Sequence, residues 1–186
     1  MDPTSELRER DALLERIDAH VDQHGVSDAT FESLASALGI RAETLEDFFH
    51  TKTELIVALI ARNRIKLRTK FAKLDVSMDT DAFRRAMWDF YVETSSASRL
   101  LFEVYGLALF DEHYGEFLHG INDWLDLLKE SLTRRGVPSD RAEAFATLTL
   151  AVYRGAMMDL LATGERPRVN GAMELWFEAA TWLSGP

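Results

Sequence analysis

The sequence contains no cysteine, which excludes disulfides and thiolate metal or redox sites and fits a reducing compartment. Four prolines and ten glycines in 186 residues are few punctuators for a sheet-and-turn protein, and apolar residues instead recur at helical spacing over long stretches. No run approaches eighteen consecutive apolar residues, and charged residues are spread through the segment Met1 to Asp11. Neither a membrane span nor a signal peptide is expected, and a cytoplasmic location is the expectation. There is no Gly-rich phosphate loop and no recognisable nucleophile motif, so no enzyme activity, catalytic residue or cofactor is expected. Lysine is scarce, five against sixteen arginines, and the formal net charge is −10.

What remains is an all-α chain of about nine helices, expected over 12–24, 31–38, 42–48, 52–73, 80–94, 98–110, 116–135, 139–163 and 170–183. Asp75 to Asp79 and Ser95 to Ser98 read as polar breaks. Ser98 and Ser139 or Asp140 read as helix caps, and Gly136 and Gly164 as helix stops.

The first three helices carry the most information. Thr30 is a good N-cap, and Phe31, Leu34, Ala35 and Leu38 form one apolar stripe behind it. Gly39 follows where a helix end needs the left-handed conformation, and Ile40 re-enters the core. Leu45, Phe48 and Phe49 give a short second helix its buried face. Two short helices joined by a Gly-containing turn are the unit whose second helix enters the DNA major groove. Leu13, Leu14, Ile17 and Val21 form a supporting stripe that ends at Gly25.

These residues resemble the N-terminal domain of the TetR family of bacterial regulators. The matching positions are Gly25, Leu34-Ala35, Gly39-Ile40, Leu45-Glu46-Asp47-Phe48-Phe49 and Lys52. The segment from Ala151 to Glu165, with its Leu-Leu-Ala-Thr-Gly ending, resembles the family's penultimate helix. The resemblance implies a helix-turn-helix head over 1–52, a ligand-binding and dimerisation body over 53–186, and a ligand-responsive regulator, usually a repressor. It implies that residues 42–48 enter the major groove, that ligand in the body tilts the long helix from residue 53, and that the spacing between two heads changes. Thr30, Arg41, Thr44, His50, Thr51 and Lys52 are the candidate DNA contacts.

The charges oppose that reading. Residues 1–55 hold five Lys and Arg against thirteen Asp and Glu, a net of −8, whereas 56–186 hold sixteen against eighteen. The family's phosphate-touching Tyr of the recognition helix is Glu46 here, its following His or Tyr is Phe48, and Glu32, Glu43 and Asp47 add further negative charge. DNA affinity rests on cations displacing counterions from phosphates, and this head lacks a basic footprint. Three explanations stand: binding through a few local contacts and helix N-termini, an acidic surface adapted to a high-salt cell, or a retained fold that has lost DNA and serves as a small-molecule- or protein-binding module.

In the body, Ala144, Thr147, Leu148, Ala151, Gly155 and Met158 make a small-residue stripe, and Trp176, Phe177, Ala180 and Leu183 give the last helix an apolar side. The resemblance implies a homodimer through residues 139–183; closure of the monomer's own core is the alternative. The helix 98–110 is apolar nearly all round and belongs in the middle of a domain. The resemblance implies a cavity beside it for a small apolar or aromatic ligand, with Trp88, Tyr91, Phe102, Glu103, Tyr105, Trp124, Tyr153 and Met157 as candidate contacts and Met87 and Phe110 nearby. Simple core filling is the alternative for each. Glu103 is the odd carboxylate on that helix, a ligand handle or an i,i+4 partner of Arg99. Glu116, His119 and Asp123 share a helix face, but a solvated face explains them better than a metal site. The run Arg62, Arg64, Lys66, Arg68, Lys70, Lys73 reads as a solvated surface that can also hold an acidic head.

Overall fold

The computed structural model of the chain describes residues 3–26, 29–73 and 78–184, and the described residues form nine α-helices and one 3-10 turn, with no strand among them. In order these are α1 (Pro3–His24), α2 (Phe31–Leu38), α3 (Ala42–Phe49), α4 (Lys52–Phe71), α5 (Thr80–Glu93), α6 (Ser95–Ala108), the 3-10 turn Glu112–Tyr114, α7 (Gly115–Arg134), α8 (Ser139–Thr163) and α9 (Arg166–Ser184). Four boundaries differ from expectation. The first helix begins at Pro3, nine residues early. Ser95 to Ser98 is no break: α5 and α6 meet at Thr94 alone, and the hydroxyls of Thr94 and Ser98 donate to the carbonyls of Phe90 and Thr94, so these short polar residues satisfy themselves in the helical path. The N-cap of α8 is Pro138, with Ser139 and Asp140 already inside the first turn. The last helix starts at Arg166, because Pro167 in a first turn gives up an N–H that has no helical partner anyway. Of the expected break at Asp75 to Asp79, residues 75–77 lie outside the described residues, and Asp79 caps α5 by accepting the Ala82 N–H at 2.8 Å.

The chain divides into two compact units. One comprises Met1–Lys66 with Arg99–Phe117, the other Leu67–Ser98 with Leu118–Pro186. The core of the first is built from the expected stripes: Leu13, Leu14, Ile17 and Val21 of α1 are buried, with Leu34 and Ala35 of α2, Leu45 and Phe49 of α3, and Leu55, Ile56 and Leu59 of α4. From α6, Leu100 and Val104 join the buried set. That helix is less central than its composition suggests, for Leu109 and Phe110 just past its end are 71% and 91% exposed. Phe110 therefore lines no interior.

The second unit is centred on α5, α8 and α9. Phe83, Met87, Trp88 and Phe90 are buried on α5, Phe145, Leu150, Tyr153 and Met157 on α8, and Val169, Met173, Phe177 and Ala180 on α9. A cation sits among them. Arg84 is 1% exposed and donates to Asp81 at 2.7 Å and to the Thr181 hydroxyl at 3.0 Å, with its guanidinium 5.5 Å from the Phe145 ring centre. Loss of hydration pulls its pKa down, and Asp81 acts in the opposite sense. Helix α8 is long and apolar enough to cross a membrane by length and composition, a helix that the count of consecutive apolar residues passed over. Its inward face includes Thr149 and Tyr153, both buried in this unit.

Candidate nucleic-acid interface

The helix-turn-helix is assembled by local chemistry. Thr30 caps α2 by accepting the Ser33 N–H at 3.1 Å, while the Ser33 hydroxyl accepts the Thr30 N–H at 2.9 Å, a reciprocal capping box. Gly39 takes φ +66° and turns the chain, and a Cβ there would meet nothing within 4 Å, so conformation rather than space calls for glycine. Ile40 donates back to the Ala35 carbonyl at 3.0 Å and closes the turn. Arg41 then opens α3 as an N-cap without a side-chain hydrogen bond, so its guanidinium is not spent on the cap. Arg16 of α1 donates to the Leu38 carbonyl, placing a cation at the negative end of α2. Arg10 lies over the Phe49 ring at 5.1 Å.

The outward face of α3 follows directly. Leu45 and Phe49 are buried and Phe48 half-buried, leaving Glu43, Glu46 and Asp47 exposed. Among the candidate DNA contacts, Thr30, Arg41, His50 and Thr51 are exposed, while Thr44 and Lys52 are half-buried. His50 ends α3 with φ +48° and pairs with Glu54 at 3.3 Å, and the Thr51 hydroxyl accepts the Glu54 N–H at 3.1 Å at the start of α4. Glu32 sits in the first turn of α2, where backbone hydrogen bonding and the Thr30 hydroxyl hold its carboxyl below the usual range. The face is thus firmly anionic, with Arg41 at one end of α3 and the His50–Lys52 turn at the other.

The basic run of α4 serves the protein's own acids. Asp18 of α1 is 3% exposed and accepts from Asn63 at 2.8 Å, with Lys66 closing on its second oxygen and Arg62 at 3.9 Å. Arg62 also reaches Glu15 at 3.5 Å, and in the second unit Arg68 pairs with Asp123 at 3.4 Å. Sequence reading missed Asp18, although an acid beside Ile17 in an apolar stripe, facing a basic helix, was the available signal.

The candidate ligand residues fall into two groups. In the second unit, Trp88 and Tyr91 each meet the buried Tyr153 edge-on, with ring centres 6.3 and 5.6 Å apart. The Trp88 indole donates to Asn170 at 3.0 Å, a polar partner the sequence did not suggest. The Tyr153 hydroxyl donates to the Arg84 carbonyl at 2.7 Å, and burial pushes its pKa up. Met157 is fully buried on the same helix, and Trp124 packs against Phe71 and Phe90 at 5.4 and 6.4 Å. In the first unit, Tyr105 packs on Phe117 at 5.2 Å, Phe102 is half-buried, and Glu103 accepts the Val26 N–H at 2.7 Å. Among the described residues no group of three or more His, Cys, Asp or Glu is placed to hold a metal ion, and the side chains of Glu116 and His119 lie outside them.

The small-residue stripe of α8 faces outward. Ala144, Thr147, Leu148, Ala151, Gly155 and Met158 are all exposed, while the opposite face makes the core. On α9 the assignment reverses. Trp176 is half-buried and Phe177 and Ala180 are buried in their own unit, Leu183 lies outside the described side chains, and among the described large apolar side chains Leu175 at 68% and Trp182 at 85% are exposed.

No protein-family model matches the chain, and no curated protein matches it by sequence. Solved structures do. A transcriptional regulator from Rhodococcus sp. Rha1 superposes with a TM-score of 0.80 at 16% identity, covering 92% of this chain and 95% of that one. A TetR-family transcriptional regulator from Agrobacterium tumefaciens gives 0.76 at 18% identity over 94% and 98%. A regulator from Saccharomonospora viridis, described as putative and solved with choline, gives 0.78 at 16% identity over 94% and 96%. With its helix-turn-helix, its helical body and this near-complete superposition, the chain has the fold of TetR-family transcriptional regulators.

Proposed function

We propose that the chain is a ligand-responsive transcriptional regulator, most simply a repressor, that binds operator DNA as a homodimer in the cytoplasm and catalyses no reaction. The observation that carries the reading is the α2–Gly39–α3 unit, with its capping box, left-handed glycine and short exposed second helix, on a fold shared with regulators. Residues 1–52 are the DNA-reading head and 53–186 the ligand-binding and dimerisation body. In this reading Arg41 and Thr44, at the start of α3, touch base edges, and Thr30, His50, Thr51 and Lys52 make phosphate contacts; the use of a recognition helix's N-terminal residues on base edges supports it.

The exposed stripe of α8, with Leu175 and Trp182 of α9, is the dimer surface within residues 139–183, because exposed small residues let two helices approach closely. Trp88, Tyr91, Tyr153 and Met157 are the core of the ligand site, and the choline bound to the Saccharomonospora viridis protein supports a small-molecule role. Ligand acts by binding one arrangement of the two heads better than the other.

The second reading, a fold that has lost DNA, rests on one observation: Glu43, Glu46 and Asp47 occupy the exposed face of α3. Selection of the full-length protein against a random duplex pool separates the two. A regulator enriches a motif of two half-sites about one helical turn, roughly 34–36 Å, apart. Absence of enrichment at low salt supports the module that no longer reads DNA.

A further inference from the structure

Glu103 is the only acidic residue of α6, on a helix whose neighbouring Leu100 and Val104 are buried. Its Oε2 accepts the backbone N–H of Val26 at 2.7 Å, across 77 positions of sequence. Val26 is the second residue beyond α1, and its side chain is 1% exposed. Gly25 before it closes α1 by donating to the Val21 carbonyl at 2.8 Å with φ +79°. A Cβ on Gly25 would stand 2.6 Å from Glu103 Oε1, so a side chain there would displace the carboxylate, and the positive φ itself favours glycine. A carboxylate bonded to a backbone N–H is a charge-assisted contact, stronger than a neutral one.

The contact grips the joint between α1 and α2. Beyond it the chain runs only to Thr30 before α2 begins, and α2 is locked to α3 through the Gly39 turn. Helix α1 has a separate tie at Asp18, to Asn63 and Lys66 of α4. Gly25 lies seven positions beyond Asp18, about 10 Å along the axis at 1.5 Å per residue. Helix α1 is thus tied to α4 at Asp18, and the chain is tied to α6 just beyond the end of α1.

We propose that Glu103 is a positioning residue: through the Val26 amide, α6 sets the angle at which α3 is presented. The mechanical link stands on geometry alone, and its consequence for DNA rests on the regulator reading above.

The test uses full-length Glu103→Ala and Glu103→Gln with two readouts. Amide exchange over residues 22–34 should rise on the order of tenfold in Glu103→Ala, and Glu103→Gln should recover most of the protection because its amide oxygen still accepts the Val26 N–H. The second readout is the affinity ratio between the duplex enriched by selection and the same duplex with one base pair inserted between its half-sites. General destabilisation weakens both duplexes alike. Loss of positioning shrinks the ratio, which should fall several-fold in Glu103→Ala and recover in Glu103→Gln. Unchanged exchange in Glu103→Ala, a Gln variant no better than Ala, or an unchanged ratio overturns the proposal. If the wild type binds no duplex, the regulator reading fails, and the exchange comparison alone decides the link.

Discussion

Asn63 of α4 donates to Asp18 of α1 at 2.8 Å, and the carboxylate that receives it is 3% exposed with Lys66 on its other oxygen. A charge so placed is supported by hydrogen bonds to charged and polar groups, each worth about 1.5–3 kcal/mol where an ion takes part. The same contact explains why the basic run of α4 is poor evidence for DNA: Arg62 and Lys66 are committed to α1.

Asp18→Ala is therefore expected to destabilise the protein by about 2 kcal/mol. Asp18→Asn, which keeps an acceptor for Asn63 and loses the charge for Lys66, should cost less. Urea unfolding of the two variants checks the order. Equal stability of Asp18→Ala and wild type would contradict the role given to this pair.

Gly155 lies on the exposed stripe of α8, and a Cβ there meets nothing within 4 Å. Gly155→Arg should leave helix content intact, since arginine is the better helix former. It should nevertheless convert a dimer to monomer by forcing bulk and charge into the close crossing. Sedimentation of the wild type as a monomer at micromolar concentration would remove the dimer.

Trp88 is buried and holds Asn170 through its indole N–H. A ligand that binds only the folded state raises the melting temperature, by about 2.7 kcal/mol of stability at a hundredfold excess over Kd. Choline and amphipathic aromatic compounds are the probes. A response in the wild type should shrink in Trp88→Phe, which keeps a ring but frees Asn170. An undiminished response in that variant would move the ligand away from α5 and α9.

His113 donates its backbone N–H to Asp111 at 3.0 Å, and its Nδ1 lies 2.7 Å from the same carboxylate. That side-chain hydrogen bond, reinforced by the negative charge, raises the His113 pKa above 6.5, while the His113 backbone N–H, and then its imidazole, lower that of Asp111. The raised histidine value means that its stabilisation is full below pH 6.5 and fades as pH climbs through the folded-state pKa. NMR titration should show His113 titrating above 6.5 and moving back toward it in Asp111→Asn. A His113 midpoint unmoved by that substitution would show the pair to be absent in solution.

Where structure depended on near neighbours, the sequence was readable. Gly39, Thr30 and the stripe Leu34, Ala35, Leu45 and Phe49 carry their own turn, cap and buried face, and each lies where it was expected. The outward stripe of α8 was legible for the same reason, because periodicity fixes which residues share a face. Periodicity does not say which face meets what. Phe177 and Ala180 turned inward while Leu175 and Trp182 stayed exposed, since both sides of α9 carry apolar residues. Glu103 looked like half of a local pair or a ligand handle, and a hydrogen bond to a backbone N–H 77 residues away leaves no trace in composition or spacing. Ser95 to Ser98 looked like a loop because serine favours turns, yet a hydroxyl that donates to the carbonyl four residues back suits a helix as well.

In the proposed function α3, for all its carboxylates, reads DNA. The most direct test is equilibrium titration of wild type, Arg41→Ala and Glu46→Tyr against the selected duplex and a scrambled one, across a salt series. Wild type should show a measurable preference for the selected duplex at moderate salt, with affinity falling steeply as salt rises. Arg41→Ala should weaken binding by about 1–3 kcal/mol if it contacts a base edge, and Glu46→Tyr, which removes a charge facing phosphate, should strengthen it modestly. Equal and negligible binding of both duplexes by the wild type even at low salt, with binding gained only in Glu46→Tyr, would rule out a DNA reader and leave a fold that no longer serves DNA.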